Sequence, residues 1–451
     1  MRRIALVMVA VLAAAGLAGC GDVPKPPGGG KGIELEAGVT RLLTLSTRTA
    51  GEGILRLRMS GPGTSWLSAS ATSVVVDAKV DDGAVQSFVL YAGAEPYAYS
   101  GFTGALARGS HLVALKVRDD LSSPPRKDAT AFLERAELRV VPPGDPSYLA
   151  IAHAPVIFGR SVSSHSDTPL LAYADRQSPG DGNTHLTYTQ IWSNEDAGTG
   201  AFPFALWGTW GRTTDIETSI ELTLDAAGAV TAATYQTCAA CPPDYPENVT
   251  GLDHSFRPFT GFYFAGTHPM LRVATGNNVF NQSGTTPYRF QPALSPPPPP
   301  GEVREAAMDP YPVDWRVMAV EMQRERSPQF STDPTSTFAG DARQYAIVDL
   351  DTTPVNAAGV GVGLQVAGDP AWYANDYNSG LKFYTGGHRR VAVKLPLDWH
   401  ARGITAFRLR LYPAVVGVTP TVTVARARVV ELDAGYATHQ RVLPPPQILT
   451  G

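Results

Sequence analysis

The sequence predicts an all-β chain, built as two or three sandwich-like domains with one short helical segment near residues 314–326. Three observations carry this reading. The 451 residues contain 44 glycines and 38 prolines, and chains so punctuated build many short strands. The segments between the turns alternate apolar with polar side chains, the period of a half-buried strand. Hydrophobic residues make up 43% and charged residues 17%, enough apolar material for several cores and too little charge for disorder.

The chain opens on Arg2-Arg3, an apolar run from Ile4 to Leu12 and a small-residue tract from Ala13 to Gly16. A charged start, a short greasy core and a small-residue site make a secretory signal. The run is too short to span a bilayer as a folded helix. The signal ends on Leu17-Ala18-Gly19-Cys20, which resembles the lipobox of bacterial lipoproteins. That resemblance implies cleavage of residues 1–19 and acylation of Cys20, on its thiol and its new amino group. Several acyl chains together anchor firmly, so the membrane is the first expected partner. Gly21 and Asp22 follow Cys20. With no Asp directly after the cysteine, the resemblance points to the outer membrane where the envelope has one. Removal of residues 1–19 takes away two arginines and no acid, leaving 35 basic residues against 41 acidic ones. Nucleic acid is therefore not expected as a partner.

Residues 20–31 read as the lipid anchor and a Pro/Gly tether. Residues 32–147 read as an N-terminal accessory sandwich, with strand patterns such as Gly53–Met59, Ser73–Asp77, His111–Val117 and Ala136–Val141. Residues 148–294 read as a central β-rich functional domain. Its strands are Leu186–Trp192, Thr218–Leu224 and Met270–Thr275, and Asp225-Ala226-Ala227-Gly228 is a hairpin turn. Residues 295–301 form a polyproline spacer. Residues 302–443 read as a helix, capped by Asp314, followed by further strands, and residues 444–451 as a tail. Gly359-Val360-Gly361-Val362-Gly363 mimics a dinucleotide loop but lacks the helix that should follow it.

Cys238 and Cys241 stand close together before Pro242-Pro243. In an exported chain the expected role is a small structural disulfide. A free or metal-linked pair and a redox pair are the alternatives; the prolines disfavour the redox one, because they cannot open a regular helix.

Chemistry concentrates between Ser193 and Glu217. Asp215 and Glu217 lie two apart, so on a strand they share a face. Two carboxylates on one face repel unless a cation, an arginine or a shared proton sits between them. Three readings follow: neutralisation by Arg212 or another arginine, a calcium or magnesium site, or a general acid/base pair. His254 and His268, in loop-like segments, are candidate proton carriers, although a lone histidine is more often structural. Trp192, Trp207 and Trp210, with Arg212, are candidates for a sugar platform, core packing being the alternative use. No Gly-x-Ser-x-Gly elbow supports a serine hydrolase.

The heptapeptide Gly211-Arg212-Thr213-Thr214-Asp215-Ile216-Glu217 resembles that of necrosis-inducing-like and vacuolar-protein-sorting-like secreted families. Gly266–Asn277 is similar to a second element of the latter, in the same order. The resemblance implies a β-sandwich with a divalent-cation site held by Asp215 and Glu217. The heptapeptide departs from the pattern at Thr213, Thr214 and Ile216, where the families carry two histidines and a tryptophan. The function expected is an envelope-anchored polysaccharide-active enzyme, lyase or hydrolase, with catalytic Asp215, Glu217, His254 and His268. The alternative is a non-catalytic glycan- or partner-binding surface lipoprotein.

Overall fold

The computed structural model describes residues 32–195, 203–238, 254–326, 329–376 and 386–450. The signal, Cys20 and the tether lie outside these residues, as does Cys241. The chain is all-β as predicted, with helices few and short.

Eight strands run from β1 (Ile33–Glu36) through β2 (Thr40–Thr47), β3 (Gly51–Ser60), β4 (Val75–Val80), β5 (Gln86–Val89), β6 (Tyr97–Leu106) and β7 (Gly109–Val117) to β8 (Thr130–Val141). They form two antiparallel sheets, β1-β8-β3-β6 and β2-β7-β4-β5. In β3 the period of two is plain: Leu55, Leu57 and Met59 are buried, while Arg56 and Arg58 are exposed. Val113, Leu115 and Val117 of β7 line the other sheet and share that core. Cutting Leu57 to Ala would cost about 2–5 kcal/mol in so closed a core. His111 is a structural residue, held by Thr47 and Asp81.

The middle of the chain holds α1 (Tyr148–Ala152), β9 (Val156–Phe158), β10 (Pro169–Gln177), β11 (Thr184–Trp192), α2 (Pro203–Trp210), β12 (Asp215–Leu224) and β13 (Val230–Thr237). There follow β14 (Ser255–Pro258), β15 (Tyr263–Phe264), β16 (His268–Val273), β17 (Phe280–Asn281), β18 (Arg289–Phe290) and β19 (Leu294–Ser295). A six-stranded sheet has the order β14-β13-β12-β11-β10-β19, and a second has β15-β16-β9-β18 with β17 beside β16. The turn at Asp225–Gly228 closes the β12–β13 hairpin, with Gly228 N donating to Asp225 O. Helix α2 was not foreseen. Gly208 and Thr209 weaken its pattern, and Gly211, at φ +65°, ends it by donating to Trp207 O.

One short segment joins the N-terminal sandwich to the central sheet. Phe102 N donates to Gln291 O (2.8 Å) and Ala293 N to Ser100 O (3.1 Å), so residues 291–293 extend the sheet beyond β6. The chain then pairs with β10 as β19. Pro292, which has no N–H to give, fits this edge position.

A 3-10 turn (Arg304–Met308) precedes α3 (Pro312–Glu325). Asp314 does not cap this helix. Tyr311 is the N-cap residue and Pro312 takes the first helical position, which its fixed φ suits. Asp314 is buried in the first turn, and neither carboxyl oxygen has a hydrogen-bond partner among the described residues. Trp315, Val317, Met318 and Met322 join a core that runs through the N-terminal and central sheets and takes in Tyr345, Ile347 and Val430; a second core belongs to the C-terminal sheets alone. Trp66 Nε1 donates to Glu321 Oε2 (2.8 Å), fixing the helix to the N-terminal sandwich.

The remaining elements are β20 (Tyr345–Val355), β21 (Ala357–Val366), β22 (Tyr373–Ala374), β23 (Gly387–Lys394), α4 (Trp399–Arg402), β24 (Ile404–Pro413), β25 (Thr421–Leu432), β26 (Thr438–Val442) and β27 (Gln447–Thr450). They form the sheets β23-β20-β25-β26 and β22-β21-β24-β27, with their own core. The glycine run at 359–363 is strand β21. A Cβ on Gly361 would strike the Asp376 carboxylate, and one on Gly363 the Arg408 side chain, so glycine admits those groups. The expected tail is a strand: β27 pairs parallel with β24.

A candidate acid and base site

Gly211 turns the chain out of α2, and Arg212-Thr213-Thr214 carry it into β12. Thr213 N donates to Met318 Sδ, and Glu195 N to Thr213 O at 3.0 Å. The entry of β12 is thereby held between α3 and the end of β11. Asp215 and Glu217 then point to one face, as their spacing predicts. Trp192 and Gln190 lie across from them on β11.

Asp215 is 2% exposed and Glu217 5%. Asp215 Oδ2 accepts from Asn278 Nδ2 (3.0 Å) and Oδ1 from the Ile216 N–H (2.9 Å). Glu217 Oε2 accepts from Gln236 on β13. His254 Nε2 lies 3.3 Å from Glu217 Oε1 and 2.6 Å from the side-chain amide of Asn277. Asn277 and Asn278 come from the tight turn between β16 and β17, where Asn278 takes a φ of +45°, a conformation asparagine tolerates.

Two adjacent carboxyls are pushed in opposite directions. Burial raises Asp215 well above the ordinary carboxylate range, and the charges of Glu217 and Glu195 raise it further. Burial also opposes ionisation of Glu217. The hydrogen bond and charge of His254, the charge of Arg304 and a hydrogen bond with Asp215 overcome it, and Glu217 stays below the usual range. The pair therefore holds one proton, on Asp215. The hydrogen bond to Glu217 raises His254 above the ordinary imidazole value, against the effect of burial. The His254 side chain is 42% exposed, so it links the buried acids to solvent.

Arg212 is buried and pairs with Glu305 (3.4 Å), which Arg304 also approaches (3.5 Å). With Asp215 neutral, the anions Glu195, Glu217 and Glu305 face the cations Arg212 and Arg304, and His254 lies against Glu217. Arg304, Glu305, Gln236 and Asn278 were missed as site residues. Nothing in their local sequence marks them, because the fold brings them in from β13, the β16–β17 turn and the 3-10 turn.

Several sequence-derived assignments are corrected. Trp192 and Trp207 are fully buried and offer no face to a sugar. Trp207 stacks on Tyr345 at 4.4 Å and donates to Met322 Sδ. Only Trp210 of the three is exposed, at 37%, with the Arg212 guanidinium 6.0 Å from its ring. Arg212 itself is occupied by Glu305 and is not a surface ligand group. His268 is not with the acid pair. It is buried on β16, hydrogen-bonded to Ala154 O (2.8 Å) and facing Glu52 (3.8 Å), and burial pushes it down to about 4. Cys238 is buried beside Ala274 and Val279; its partner in the expected pair, Cys241, lies outside the described residues.

The acid pair does not fit a calcium or magnesium ion. A hard cation needs free carboxylate oxygens. Here Gln236, Asn278, His254 and the Ile216 N–H take them. Among the described residues no three His, Cys, Asp or Glu side chains converge as a metal-binding group.

No family model matches the chain, and no curated protein is similar to it. Among solved structures it is similar to a ruminal GH26 endo-beta-1,4-mannanase, with 11% identity and a TM-score of 0.18. That match covers 28% of this chain and 27% of the other, and a likeness so slight carries no argument about activity.

Proposed function

We propose that the protein is an envelope-anchored lipoprotein that cleaves polysaccharide, with Asp215, Glu217 and His254 as its acid/base unit. The observation that supports this most is the split in proton affinity between two touching carboxyls, one of which is bonded to a half-exposed histidine. Paired groups driven apart in this way mark acid/base assignments. The contact between the carboxyls disfavours a glycosidase pair, which keeps its carboxyls at least about 5 Å apart to flank the bond. It suits an elimination better. The contacts of His254 with Glu217 and Asn277 are both at Nε2, so in the neutral imidazole Nδ1 is the nitrogen left to take a proton. His254 takes the proton from the carbon next to a uronate carboxylate. The freed electron pair forms a C=C bond, the C–O bond to the leaving sugar breaks, and the proton is returned to that oxygen. Arg304, 43% exposed, is the cation available to the uronate carboxylate.

The test incubates the detergent-solubilised full chain with uronate and neutral polysaccharides, with and without chelator. The expected result is unsaturated oligosaccharides from a uronate polymer, undiminished by chelator and lost in Glu217→Gln and His254→Gln. Products that vanish with chelator would overturn the acid/base assignment. No products from any polymer would favour a second reading, a non-catalytic glycan-binding lipoprotein. The burial of the acid pair supports that alternative.

A further inference from the structure

A cleft of about 700 Å3 lies apart from the acid pair, within the range of about 300–1,000 Å3 typical of ligand sites. Its floor is the outer face of the N-terminal sheet. Because Leu55 and Leu57 point into the sandwich, Ile54 and Arg56 point out. The register sets Arg56 opposite Glu137 and Ile54 opposite Arg139. Arg56 and Arg139 are thus diagonal neighbours, roughly 7–8 Å apart by strand geometry. Tyr311 adds aromatic surface, and residues 292–296, which continue the sheet past β6, line the cleft as well.

The charges on this floor are unevenly matched. Arg58 pairs with Glu134 and Arg135 with Glu137. That leaves Glu137 neutralised, while Arg56 and Arg139 form no ion pair or hydrogen bond among the described residues. Both are exposed. Both guanidiniums border the cleft, and the charge of Arg139 also reaches Asp145. A guanidinium presents a planar fork that matches a carboxylate in two bonds, and tyrosine rings offer an apolar face with a polar edge.

We infer that this cleft binds an anionic saccharide chain, with Arg56 and Arg139 holding its acidic groups and Tyr311 packing against its rings. The inference stands on the cleft and not on the acid pair. Loss of turnover in Glu217→Gln and loss of binding in the arginine variants are therefore separate outcomes.

The experiment is calorimetric titration of the full chain in detergent with oligogalacturonate, a sulfated oligosaccharide, a neutral mannan oligosaccharide and polyglutamate. Oligogalacturonate is expected to bind, and to weaken about tenfold or more from low to high salt. Arg56→Gln/Arg139→Gln should reduce its affinity at least tenfold with an unchanged melting temperature. Arg56→Lys/Arg139→Lys, which keeps the charge and loses the fork, should fall between, and it serves as the test if the double glutamine variant does not fold. Comparable binding of the sulfated chain identifies the acidic group as any anion; weaker binding identifies it as carboxylate. The inference is overturned if the neutral chain or polyglutamate binds as well as oligogalacturonate. It is also overturned if no saccharide binds, or if both arginine variants bind like the parent.

Discussion

The buried carboxylate clusters around Asp349 and around Asp215 differ in how their charge is balanced. Around Asp349 every group is paired. Arg390 donates to Asp349 from Nε (2.6 Å) and Nη2 (3.0 Å), and to Asp309 through two bonds of 2.9 Å. Arg428 adds bonds to Asp349 at 3.1 and 2.9 Å and also binds Glu302. Burial works against the Asp349 charge, and the two arginines overcome it, so the carboxyl lies below its usual range. Around Asp215 the balance is reached by keeping a proton, and the cluster opens to solvent through His254. The first arrangement joins the 3-10 turn region to the C-terminal sheet. The second holds Asp215 and Glu217 at unequal proton affinity beside an exposed imidazole. Burial of acids is thus no sign of chemistry by itself; an unequal pair with an exposed proton carrier is a better one.

Breaking the first cluster should have the largest effect. Asp349→Ala leaves Arg390 and Arg428 facing each other without their anion, and urea unfolding should show a loss of about 3–5 kcal/mol. The folded carboxyl is depressed, so its contribution is present above the unfolded value of about 3.9 and is lost as pH falls through the folded value. Urea midpoints measured downward from pH 7 should fall in the wild type and be flatter in the variant.

The second cluster should respond in chemistry. Glu217→Gln removes the anion that raises His254. The imidazole should titrate at lower pH by NMR, and turnover, where found, should drop about 10²–10⁴-fold. An unchanged His254 titration would break the proposed coupling.

Asp215→Asn sharpens the contrast further, because it mimics the protonated acid. Stability at pH 7 should stay within about 1 kcal/mol of the wild type or rise. The sign is opposite to that of Asp349. A raised folded value gives a contribution fully present below the unfolded value and lost as pH rises toward the folded one. The wild type should therefore lose stability relative to the variant with increasing pH. Equal pH profiles would show that Asp215 is ionised in the fold.

The smallest effect is expected at Trp210. Its ring is partly exposed and its cation–π contact with Arg212 is long, so Trp210→Ala should cost about 0.5–1 kcal/mol in unfolding. A larger loss would place it in the core with Trp207.

Much of the fold was legible because strand alternation is a local property. Leu55, Leu57 and Met59 announce a buried face wherever β3 pairs. The same logic placed Asp215 and Glu217 on one face. It failed for the tryptophans, because a tryptophan beside acids reads the same whether it meets Tyr345 in a core or a sugar at the surface. It failed for Asp314 too, where Pro312 at the first helical position moved the helix start ahead of the acid.

The sequence by itself determined the all-β class, the helix near 314–326, the β12–β13 turn and the shared face of the acid pair. Each follows from periodicity and turn chemistry within a few residues. Only the tertiary structure decided which groups meet that pair. His254, Gln236, Asn277, Asn278 and Arg304 arrive from four separate segments. Proton affinity depends on burial and on charges a few ångströms away, and those distances exist only once the sheets have packed.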